Sequence, residues 1–214
     1  MKEQTTMQVP RPTLIASDLE GVFLPEIWIA VAEKTGIQQL SLTTRDVSDY
    51  DELMQMRIRV LAEHKLTLRD IHSVIGTMDP LPGAPAMIRW IQERTRLIVL
   101  TDSYYEFVAP VLAKLGYPTI FAHSLQIDEN NMMVGYQLRT EQGKRRSVRA
   151  FGDLGFRTMA FGDSYNDTAM LAEADQGALF CPPQNVIAEF PQYPIALDYA
   201  QLKRLIEEFL QTAG

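Results

Sequence analysis

Short runs of consecutive apolar residues alternate along the chain with longer segments in which apolar residues recur every three or four positions. The short runs predict five strands, at residues 13–17, 97–101, 158–162, 178–181 and 194–197. They lack the polar alternation of a strand with one face in water, and such strands are typical of a parallel sheet covered by helices on both faces. The pattern therefore predicts an α/β fold with a Rossmann-like parallel sheet.

The segments of helical periodicity fall between and after these strands. Four of them begin at residues 82, 103, 166 and 199. Residues 123–139 differ, because the turn-forming sequence DENN separates two segments of β character there, and this pattern predicts a hairpin.

The interval between the first two predicted strands is far longer than one crossover helix requires. It contains three more helical patterns, EIWIAVAEKTG, YDELMQMRIRVLAEH and LRDIHSVIG. We therefore predict an N-terminal extension at residues 1–12, a core formed by residues 13–24 and 82–214, and a small helical cap at residues 25–81. Because it is inserted after the first strand, we expect this cap to cover a functional site of the core.

Composition and charge exclude several classes of binding partner. The 214 residues include 20 basic and 27 acidic side chains, and the net charge of −7 would repel nucleic acid and anionic membranes. We recognise no secretory signal and no apolar stretch long enough to span a membrane. The single cysteine, Cys181, excludes an internal disulfide framework, and we expect it to be a small buried residue in a cytoplasmic protein. A monomer and a homodimer both remain open.

Polar side chains follow three of the predicted strands at the points where the strands end. These side chains are Asp18, Glu20, Thr101, Asp102, Ser103, Asp163, Ser164, Asn166 and Asp167. In an open parallel sheet, ligands bind at this edge. Carboxylates gathered there repel one another unless a cation neutralises them, and oxygen ligands suit Mg²⁺. The sequence thus predicts metal-assisted phosphoryl transfer.

Residue type indicates how the reaction would be divided among these groups. Asp18 could attack phosphorus and form an aspartyl phosphate, while Glu20 could protonate the leaving oxygen and later activate water. We expect the pKa of Glu20 to be raised by Asp18 and by closure of the cap. Thr101 and a lysine would hold the phosphoryl oxygens, and Lys144 is best placed because GKRRSV has the features of a helix start.

Four motifs in this order resemble those of the haloacid dehalogenase superfamily of phosphatases. The motif residues are Asp18 and Glu20 in DLEGV, Thr101 in VLT, Lys144, and Asp163 and Asp167 in GDSYND. Longer stretches, including DLEGVFLPEIWIAVAEKTGI and GDSYNDTAML, resemble the small bacterial phosphoserine phosphatase and homoserine phosphotransferase group from about residue 13 onward. The resemblance implies Mg²⁺ held by the Asp18 side chain, the Glu20 backbone carbonyl and Asp163, with Asp167 in support.

The resemblance also implies that the cap recognises the substrate. Glu26 and Arg57 occupy the matching positions, and a glutamate with a bidentate arginine would complement the ammonium and carboxylate of phosphoserine. Tyr50 could pack over the amino acid, or could belong to the core. Further candidate substrate contacts are Asp102, Ser103 and Asn166.

Two positions depart from the pattern of the wider family. Glu20 stands where most relatives have aspartate, and Asp102 and Ser103 stand where ordinary phosphoserine phosphatases tend to have glycine. Both departures bear on whether water or an alcohol accepts the phosphoryl group.

Each motif taken alone has a simpler interpretation. Asp18 could cap a helix, GDSYNDT could be a capped loop, Lys144 could be a solvated lysine, and Glu26 could be a first-turn acid. The joint occurrence of DLEG and GDSYNDT, in this order and both at strand ends, favours catalysis. The histidines show no metal-ligand spacing, and the sequence assigns no role to His64, His72 and His123.

Three hypotheses follow. The first is a phosphoserine phosphatase that also transfers the phosphoryl group to homoserine. The second keeps the chemistry but changes the substrate to another small phosphomonoester. The third is a non-catalytic nucleotide-binding module, although the chain contains neither G-x-G-x-x-G nor G-x-x-x-x-G-K-[ST].

Overall fold

The computed structural model describes residues 11–43, 46–47 and 49–212. Within these residues, seven strands form one sheet in the order β4-β3-β2-β1-β5-β6-β7. The strands are β1 Thr13–Ser17, β2 Arg96–Tyr104, β3 Thr119–Ile127, β4 Met133–Gln137, β5 Arg157–Gly162, β6 Gln176–Phe180 and β7 Ile195–Ala196. Neighbouring strands are parallel except for β3 and β4, which are antiparallel. The predicted α/β class is confirmed.

All five strands predicted from apolar runs are present. The predicted hairpin is also present as β3 and β4, but its first strand begins earlier, at Thr119, and pairs in parallel with β2. The sequence analysis missed this second pairing, because the segment before residue 123 lacks a continuous apolar run. The hairpin is therefore an extension of the main sheet.

Nine helices of the described chain surround or follow the strands. They are α1 Ile27–Thr35, α2 Tyr50–Glu63, α3 Leu68–Ile75, α4 Ala84–Gln92, α5 Tyr105–Val108, α6 Gly143–Asp153, α7 Thr168–Glu173, α8 Gln184–Glu189 and α9 Tyr199–Gln211. The helix predicted from residue 103 is short, because β2 continues to Tyr104 and a 3-10 turn containing Pro110 follows α5. None of the described helices has the length and apolar character needed to cross a bilayer.

Local sequence explains where the helices between β1 and α4 begin. The Asp49 side chain accepts a hydrogen bond from the Glu52 N–H at 2.9 Å and caps α2. Thr67 and Asp70 form a reciprocal capping box at the start of α3. Helices α1, α2 and α3 are called the cap helices below; the exact division into cap and core at residues 25 and 81 stays a prediction.

The apolar core lies on both faces of the sheet. Ile15 and Phe161 belong to one cluster of buried residues that continues into the cap helices through Val31, Met54 and Ile71. The opposite face of the sheet packs a second cluster against α6 and α7. The cap helices are therefore packed onto the sheet by continuous apolar contact, which fixes one wall of any cavity between them.

The predicted N-terminal extension lies largely outside the described residues. Its last two residues, Arg11 and Pro12, are described and contact the core. Arg11 pairs with Asp175 at 3.2 Å, and the Pro12 carbonyl accepts a hydrogen bond from the Arg157 N–H at 2.9 Å. The chain is thus attached to the sheet from residue 11.

Candidate active site

Strand order brings the predicted polar strand ends together. Because β1 lies between β2 and β5, Asp18, Thr101 and Asp163 meet at one edge of the sheet. A cavity of about 460 Å³ lies between this edge and the cap helices. The predicted site residues that line it are Asp18, Glu20, Glu26, Tyr50, Arg57, Thr101, Asp102, Ser103, Lys144, Asp163 and Asn166. Asp167 lies behind the cavity wall and is fully buried.

Lys144 is the cation at the floor of the cavity. It lies in the first turn of α6, is 6% exposed, and its Nζ is 2.9 Å from Asp18 Oδ1 and 2.8 Å from Asp167 Oδ1. Asp102 Oδ2 is 3.5 Å away. Burial alone would lower the pKa of Lys144, but these three carboxylates outweigh it and hold the pKa well above its usual value. The floor therefore keeps a fixed positive charge.

The carboxylates beside Lys144 still carry excess negative charge. Oxygen atoms of Asp18, Asp163 and Asp167 lie within 4.8 Å of one another. Burial and the charge of Asp167 raise the pKa of Asp18 well above its usual value, although Lys144 opposes the shift. Burial and Asp167 likewise raise the pKa of Asp163 to about 6. Lys144 does not fully balance the negative charge of this all-oxygen cluster, and the cluster could hold a divalent cation.

Two glycines let these carboxylates approach the backbone. Gly21 has a φ of 74°, and a Cβ there would lie 2.5 Å from Asp163 Oδ2. A Cβ on Gly162 would lie 2.2 Å from Asp167 Cγ. Both separations are far below van der Waals contact, so any side chain at Gly21 or Gly162 would displace a carboxylate of the cluster.

Asp167 supports the floor from beneath. Its Oδ1 accepts from Lys144, and its Oδ2 accepts from the N–H groups of Asp163 at 3.0 Å and Ser164 at 3.2 Å. Both oxygens are thus held by the protein, which orders the loop after β5. The neighbouring Asn166 is exposed at the rim of the cavity.

Glu20 links the floor to the cap. Its Oε2 accepts a hydrogen bond from the Ile27 N–H at 2.8 Å, at the first residue of α1. Burial and, next, the charge of Glu26 raise the pKa of Glu20 to about 7. The raised pKa agrees with the prediction, but the neighbouring charge responsible is Glu26 and not Asp18. Glu20 can therefore exchange a proton near neutral pH.

Arg57 is a buried cation on the cap side. It is 6% exposed, and its guanidinium lies 4.5 Å from the centre of the Trp28 ring. One nitrogen, Nη2, donates to the Leu42 carbonyl at 2.7 Å, whereas the buried Nε has no hydrogen-bond partner among the described residues. Burial lowers the pKa of Arg57 to about 10, which leaves it charged at neutral pH. A buried arginine without a carboxylate partner in the described chain is suited to bind an anion.

Tyr50 connects the cap helices to β2. Its hydroxyl donates to the Asp102 carbonyl at 3.3 Å and lies 2.7 Å from the Tyr104 hydroxyl. Since Tyr50 has one hydroxyl hydrogen, Tyr104 is the donor in the second contact. Tyr50 therefore has a structural contact as well as a position on the cavity wall.

The expectation that Cys181 is buried is wrong. Cys181 is exposed and lines the cavity, and its Sγ is 3.2 Å from the Leu197 carbonyl. The predicted strand at 178–181 ends one residue early, at Phe180. Cys181 has a φ of 47°, so the chain turns away from the sheet there and carries the side chain out of the core.

Three residues near the site were not predicted from the sequence. Trp28 stacks on Arg57, Tyr104 bonds to Tyr50, and His123 lies 3.7 Å from Asp102. For Trp28 a signal existed, because it follows Glu26 by two residues in the first predicted cap helix. No local pattern indicates Tyr104 or His123, whose positions depend on the pairing of β2 with β3.

Comparison with known proteins gives relatives that extend over nearly the whole chain. Phosphoserine phosphatase ThrH from Pseudomonas aeruginosa is 54% identical over 197 residues, covering 92% of this chain and 95% of that protein. A phosphoserine phosphatase from Pseudomonas syringae pv. tomato is 52% identical, with 92% of this chain and 82% of that protein covered.

Solved structures of low sequence identity have the same fold. An apo phosphoserine phosphatase superposes with a TM-score of 0.73 at 19% identity, covering 92% of this chain and 98% of that one. A phospho-aspartyl intermediate analogue of phosphoserine phosphatase gives a TM-score of 0.69 at 19% identity, with coverage of 86% and 92%.

The family follows from these matches together with the motifs. The sequence model of the haloacid dehalogenase-like hydrolases matches residues 13–175, which include every predicted catalytic and metal-binding residue. The strand ends, the buried lysine and the acidic cluster lie within that range. This chain belongs to the haloacid dehalogenase-like hydrolase family.

Proposed function

We propose that this enzyme is a Mg²⁺-dependent phosphoserine phosphatase that works through an aspartyl phosphate on Asp18 and can also transfer the phosphoryl group to homoserine. The observation that carries the proposal is the cavity with two unlike ends. One end holds Lys144 among carboxylates, and the other holds the buried Arg57, with Glu26 also on the cavity lining and close enough for its charge to act on that of Arg57. A small molecule with a phosphate at one end and an amino acid at the other would match both.

Asp18 is the proposed nucleophile. Its Oδ1 accepts from the Leu19 N–H at 2.8 Å and from Lys144, and these bonds hold the carboxylate at the end of β1. A carboxylate oxygen forms a bond to phosphorus as the bond to the serine oxygen breaks. The result is a phosphoryl group on Asp18 and a free serine hydroxyl.

Lys144 and Thr101 would bind the phosphoryl oxygens during this transfer. The Thr101 Oγ1 already accepts from the Ser103 N–H at 3.1 Å, so its own hydrogen is available to donate. Lys144 supplies positive charge that needs no reorganisation, since α6 and three carboxylates fix it.

Mg²⁺ fits the acidic cluster because its oxygen atoms lie close together, and because burial and, next, the charge of Asp167 raise the pKa of both Asp18 and Asp163. The Asp18 side chain, the Glu20 carbonyl and Asp163 would hold the ion, with Asp167 in support. Bound there, the ion would neutralise the carboxylates and withdraw charge from the phosphoryl group.

Glu20 would transfer the protons. With a pKa near 7, it can protonate the serine oxygen as that oxygen leaves. The resulting carboxylate can then take a proton from the attacking hydroxyl of water or homoserine. The phosphoryl group leaves Asp18 as phosphate or as homoserine phosphate, and Glu20 regains its proton.

Recognition of the amino-acid end would fall to the cap helices. Arg57 would pair with the substrate carboxylate and so satisfy its buried Nε, and Glu26 would accept from the ammonium group. Tyr50 lines the wall between them, and Ser103, Asp102 and Asn166 are candidate contacts nearer the phosphate. The names of the two curated relatives support phosphoserine as the substrate.

The experiment follows the phosphate of L-phosphoserine with Mg²⁺ by phosphorus NMR, with and without L-homoserine. We expect inorganic phosphate in both samples and homoserine phosphate only in the second. Phosphoethanolamine, which lacks the carboxylate, is the matched control substrate and should react much more slowly.

Each outcome distinguishes the parts of the proposal. Phosphate without homoserine phosphate would remove the transferase activity and leave the phosphatase. Equal use of phosphoserine and phosphoethanolamine would contradict the role of Arg57 and favour another small phosphomonoester. Absence of turnover with any phosphomonoester would contradict the catalytic proposal.

We also infer a cytoplasmic location and small-molecule partners only. The net charge of −7 and the single cysteine support this inference, since the acidic chain would be repelled by nucleic acid and anionic membranes. Whether the enzyme is a monomer or a homodimer is decided by sedimentation.

A further inference from the structure

The end of β2 contains an irregularity directly beside the cavity. Leu100 pairs with Phe121 and Tyr104 pairs with His123, so β2 advances four residues where β3 advances two. The extra residues bulge from the sheet, and bulges of this kind re-aim side chains next to active sites. As a result the Asp102 side chain lies next to Lys144 at the floor of the cavity, and the His123 ring lies on the other side of Asp102.

His123 is held in a defined orientation. It is 6% exposed, and its Nδ1 accepts a hydrogen bond from the Arg139 N–H at 3.1 Å. A backbone N–H can only donate, so the hydrogen of the neutral ring is on Nε2. That nitrogen faces Asp102 Oδ1 at 3.7 Å, slightly longer than a hydrogen bond.

The ring is neutral at physiological pH. Burial lowers the pKa of His123, and the nearby charges of Arg139 and Lys144 lower it further, against the opposing charge of Asp102. His123 can therefore present an N–H to Asp102 without adding a second cation beside Lys144.

Asp102 stands between His123 and Lys144. Its Oδ1 faces the imidazole at 3.7 Å and its Oδ2 faces Lys144 Nζ at 3.5 Å. Its side chain is 39% exposed, so its other surface is open to the cavity. A carboxylate in this position could rotate away from the lysine unless a second group held it.

Arg139 closes a ring of contacts around Lys144. Its backbone N–H holds His123, while its Nη2 donates to the Gly143 carbonyl at 3.1 Å and to Ser147 Oγ at 2.8 Å. Gly143 begins α6 and precedes Lys144. The backbone before Lys144 is thus held through Arg139, and the ammonium group, which contacts Asp18 and Asp167 more closely, also faces Asp102. His123 bonds to the Arg139 N–H and faces Asp102.

We propose that His123 is a positioning residue that holds Asp102 against Lys144 and thereby keeps the lysine ammonium aimed at the phosphoryl position. His123 touches no reacting atom; it acts through Asp102. The proposal rests on phosphoryl transfer at this floor, but not on phosphoserine as the substrate.

Two substitutions separate the N–H contact from the rest of the side chain. In His123→Asn, an amide oxygen near the Nδ1 position can still accept from Arg139, but the N–H that faces Asp102 is lost. In His123→Gln, an amide nitrogen reaches the former Nε2 position. His72→Asn is the matched control, because His72 is half-buried, bonds to the Glu106 carbonyl at 2.6 Å and lies on a cap helix.

The assay uses p-nitrophenyl phosphate with saturating Mg²⁺, since this substrate needs only the phosphoryl end of the site. We expect kcat to fall about tenfold in His123→Asn, the range usual for outer residues that orient a ligand group. In His123→Gln and His72→Asn, kcat should stay close to the parent. An unchanged kcat in His123→Asn would overturn the proposal.

Coupling to Asp102 distinguishes positioning from general stability. Asp102→Asn alone should also lower kcat about tenfold, and adding His123→Asn to it should cost little more, because the two residues act as one unit. Additive losses would mean that His123 acts elsewhere. If His123→Asn does not fold, His123→Gln and Asp102→Asn carry the test: equal losses of kcat in both would contradict the proposal.

A binding measurement keeps the test independent of substrate choice. Beryllium fluoride with Mg²⁺ mimics a phosphoryl group on a carboxylate, and its affinity can be followed by fluorine NMR. His123→Asn should bind it about tenfold more weakly than the parent and His123→Gln should not. If the parent binds beryllium fluoride but turns over no phosphomonoester, the proposed function fails, and the affinities still test the role of His123. Equal affinities in the parent and in His123→Asn would overturn that role.

Discussion

The floor of the cavity, around Lys144, and the wall formed by the cap helices, around Arg57, differ in how their buried charges are paired. At the floor, Lys144 contacts three carboxylates, and Asp167 has partners for both oxygens. On the wall, Arg57 is just as buried but its Nε has no partner within the described chain. The floor is therefore pre-ordered by the protein, whereas the wall keeps a buried donor that a ligand could satisfy.

The difference corresponds to two tasks. Charge that develops during phosphoryl transfer is best stabilised by groups that are already fixed, since no reorganisation is then needed. Discrimination between substrates benefits from a buried group that stays unsatisfied with the wrong ligand, because an unpaired buried charge is costly. Substitutions at the floor should therefore change the rate of every phosphomonoester, and substitutions at the wall should change the choice among them.

The largest effect is expected at the proposed nucleophile. Asp18→Asn removes the attacking oxygen, and kcat for phosphoserine and p-nitrophenyl phosphate alike should fall by about 10⁴-fold or more. The melting temperature should be unchanged or higher, because a carboxylate of raised pKa is removed from a crowded cluster. Residual turnover within tenfold of the parent would contradict the covalent mechanism.

A smaller and selective effect is expected on the wall. Arg57→Ala should lower kcat/KM for phosphoserine by about 100-fold, since truncating a buried charge pair costs roughly 2–5 kcal/mol. Phosphoethanolamine should be affected little. Arg59→Ala, two residues along the same helix, is the control and should leave both substrates unchanged; an equal loss with phosphoethanolamine would place Arg57 in the structure and not in recognition.

Metal binding at the floor can be tested through the stability of the fold, with no substrate turnover. Free Mg²⁺ at about ten times its dissociation constant should stabilise the fold by about 1.4 kcal/mol, which corresponds to roughly 3–6 °C in melting temperature. Asp163→Asn should abolish most of this increase, and Asp175→Asn should retain it. An increase that is the same in the parent and Asp163→Asn would mean that Mg²⁺ binds elsewhere.

The charged carboxylate of Asp175 stabilises the folded state and lies away from the cavity. Burial would raise its pKa, but bonds from the Thr158 N–H at 2.7 Å and from Arg11 outweigh this and lower the pKa below its usual value. Because the folded pKa is below the unfolded one, the stabilisation is present above pH 4 and is lost as the pH falls through the folded pKa.

Asp175→Asn should accordingly cost about 1 kcal/mol at pH 7, a modest value because the group is largely exposed to solvent screening. The cost should vanish in strong acid. Denaturant titrations of parent and variant at several pH values check this, and kcat should not change. A cost that grows as the pH falls would reverse the assigned sign.

Much of the fold is predictable from periodicity. The apolar runs predicted the five strands because the central strands are buried on both faces, as the two clusters around Ile15 and Leu14 illustrate. The hairpin is only half predictable: its turn has a local signal, but the pairing of Thr119–Ile127 with β2 does not. Cys181 was misplaced because one left-handed residue after β6 decides its exposure.

The candidate site divides in the same way. Asp18, Thr101 and Asp163 could be found from sequence, because each follows or ends an apolar run and the ends of parallel strands share one edge of the sheet. The neighbour that raises the pKa of Glu20, the stacking of Trp28 on Arg57 and the contact of His123 with Asp102 could not be found. Two of these contacts join residues far apart in the chain, and the approach of Glu26 to Glu20 depends on how the turn between β1 and α1 folds.

The sequence by itself determined the class of fold and the carboxylates of the floor, because these depend on short-range patterns. Only the tertiary structure decided that β1 lies between β2 and β5, that Asp167 is buried beneath the floor, and that the buried Nε of Arg57 has no hydrogen-bond partner in the described chain. Strand order and side-chain burial arise from packing between distant segments. Local periodicity carries no information about that packing.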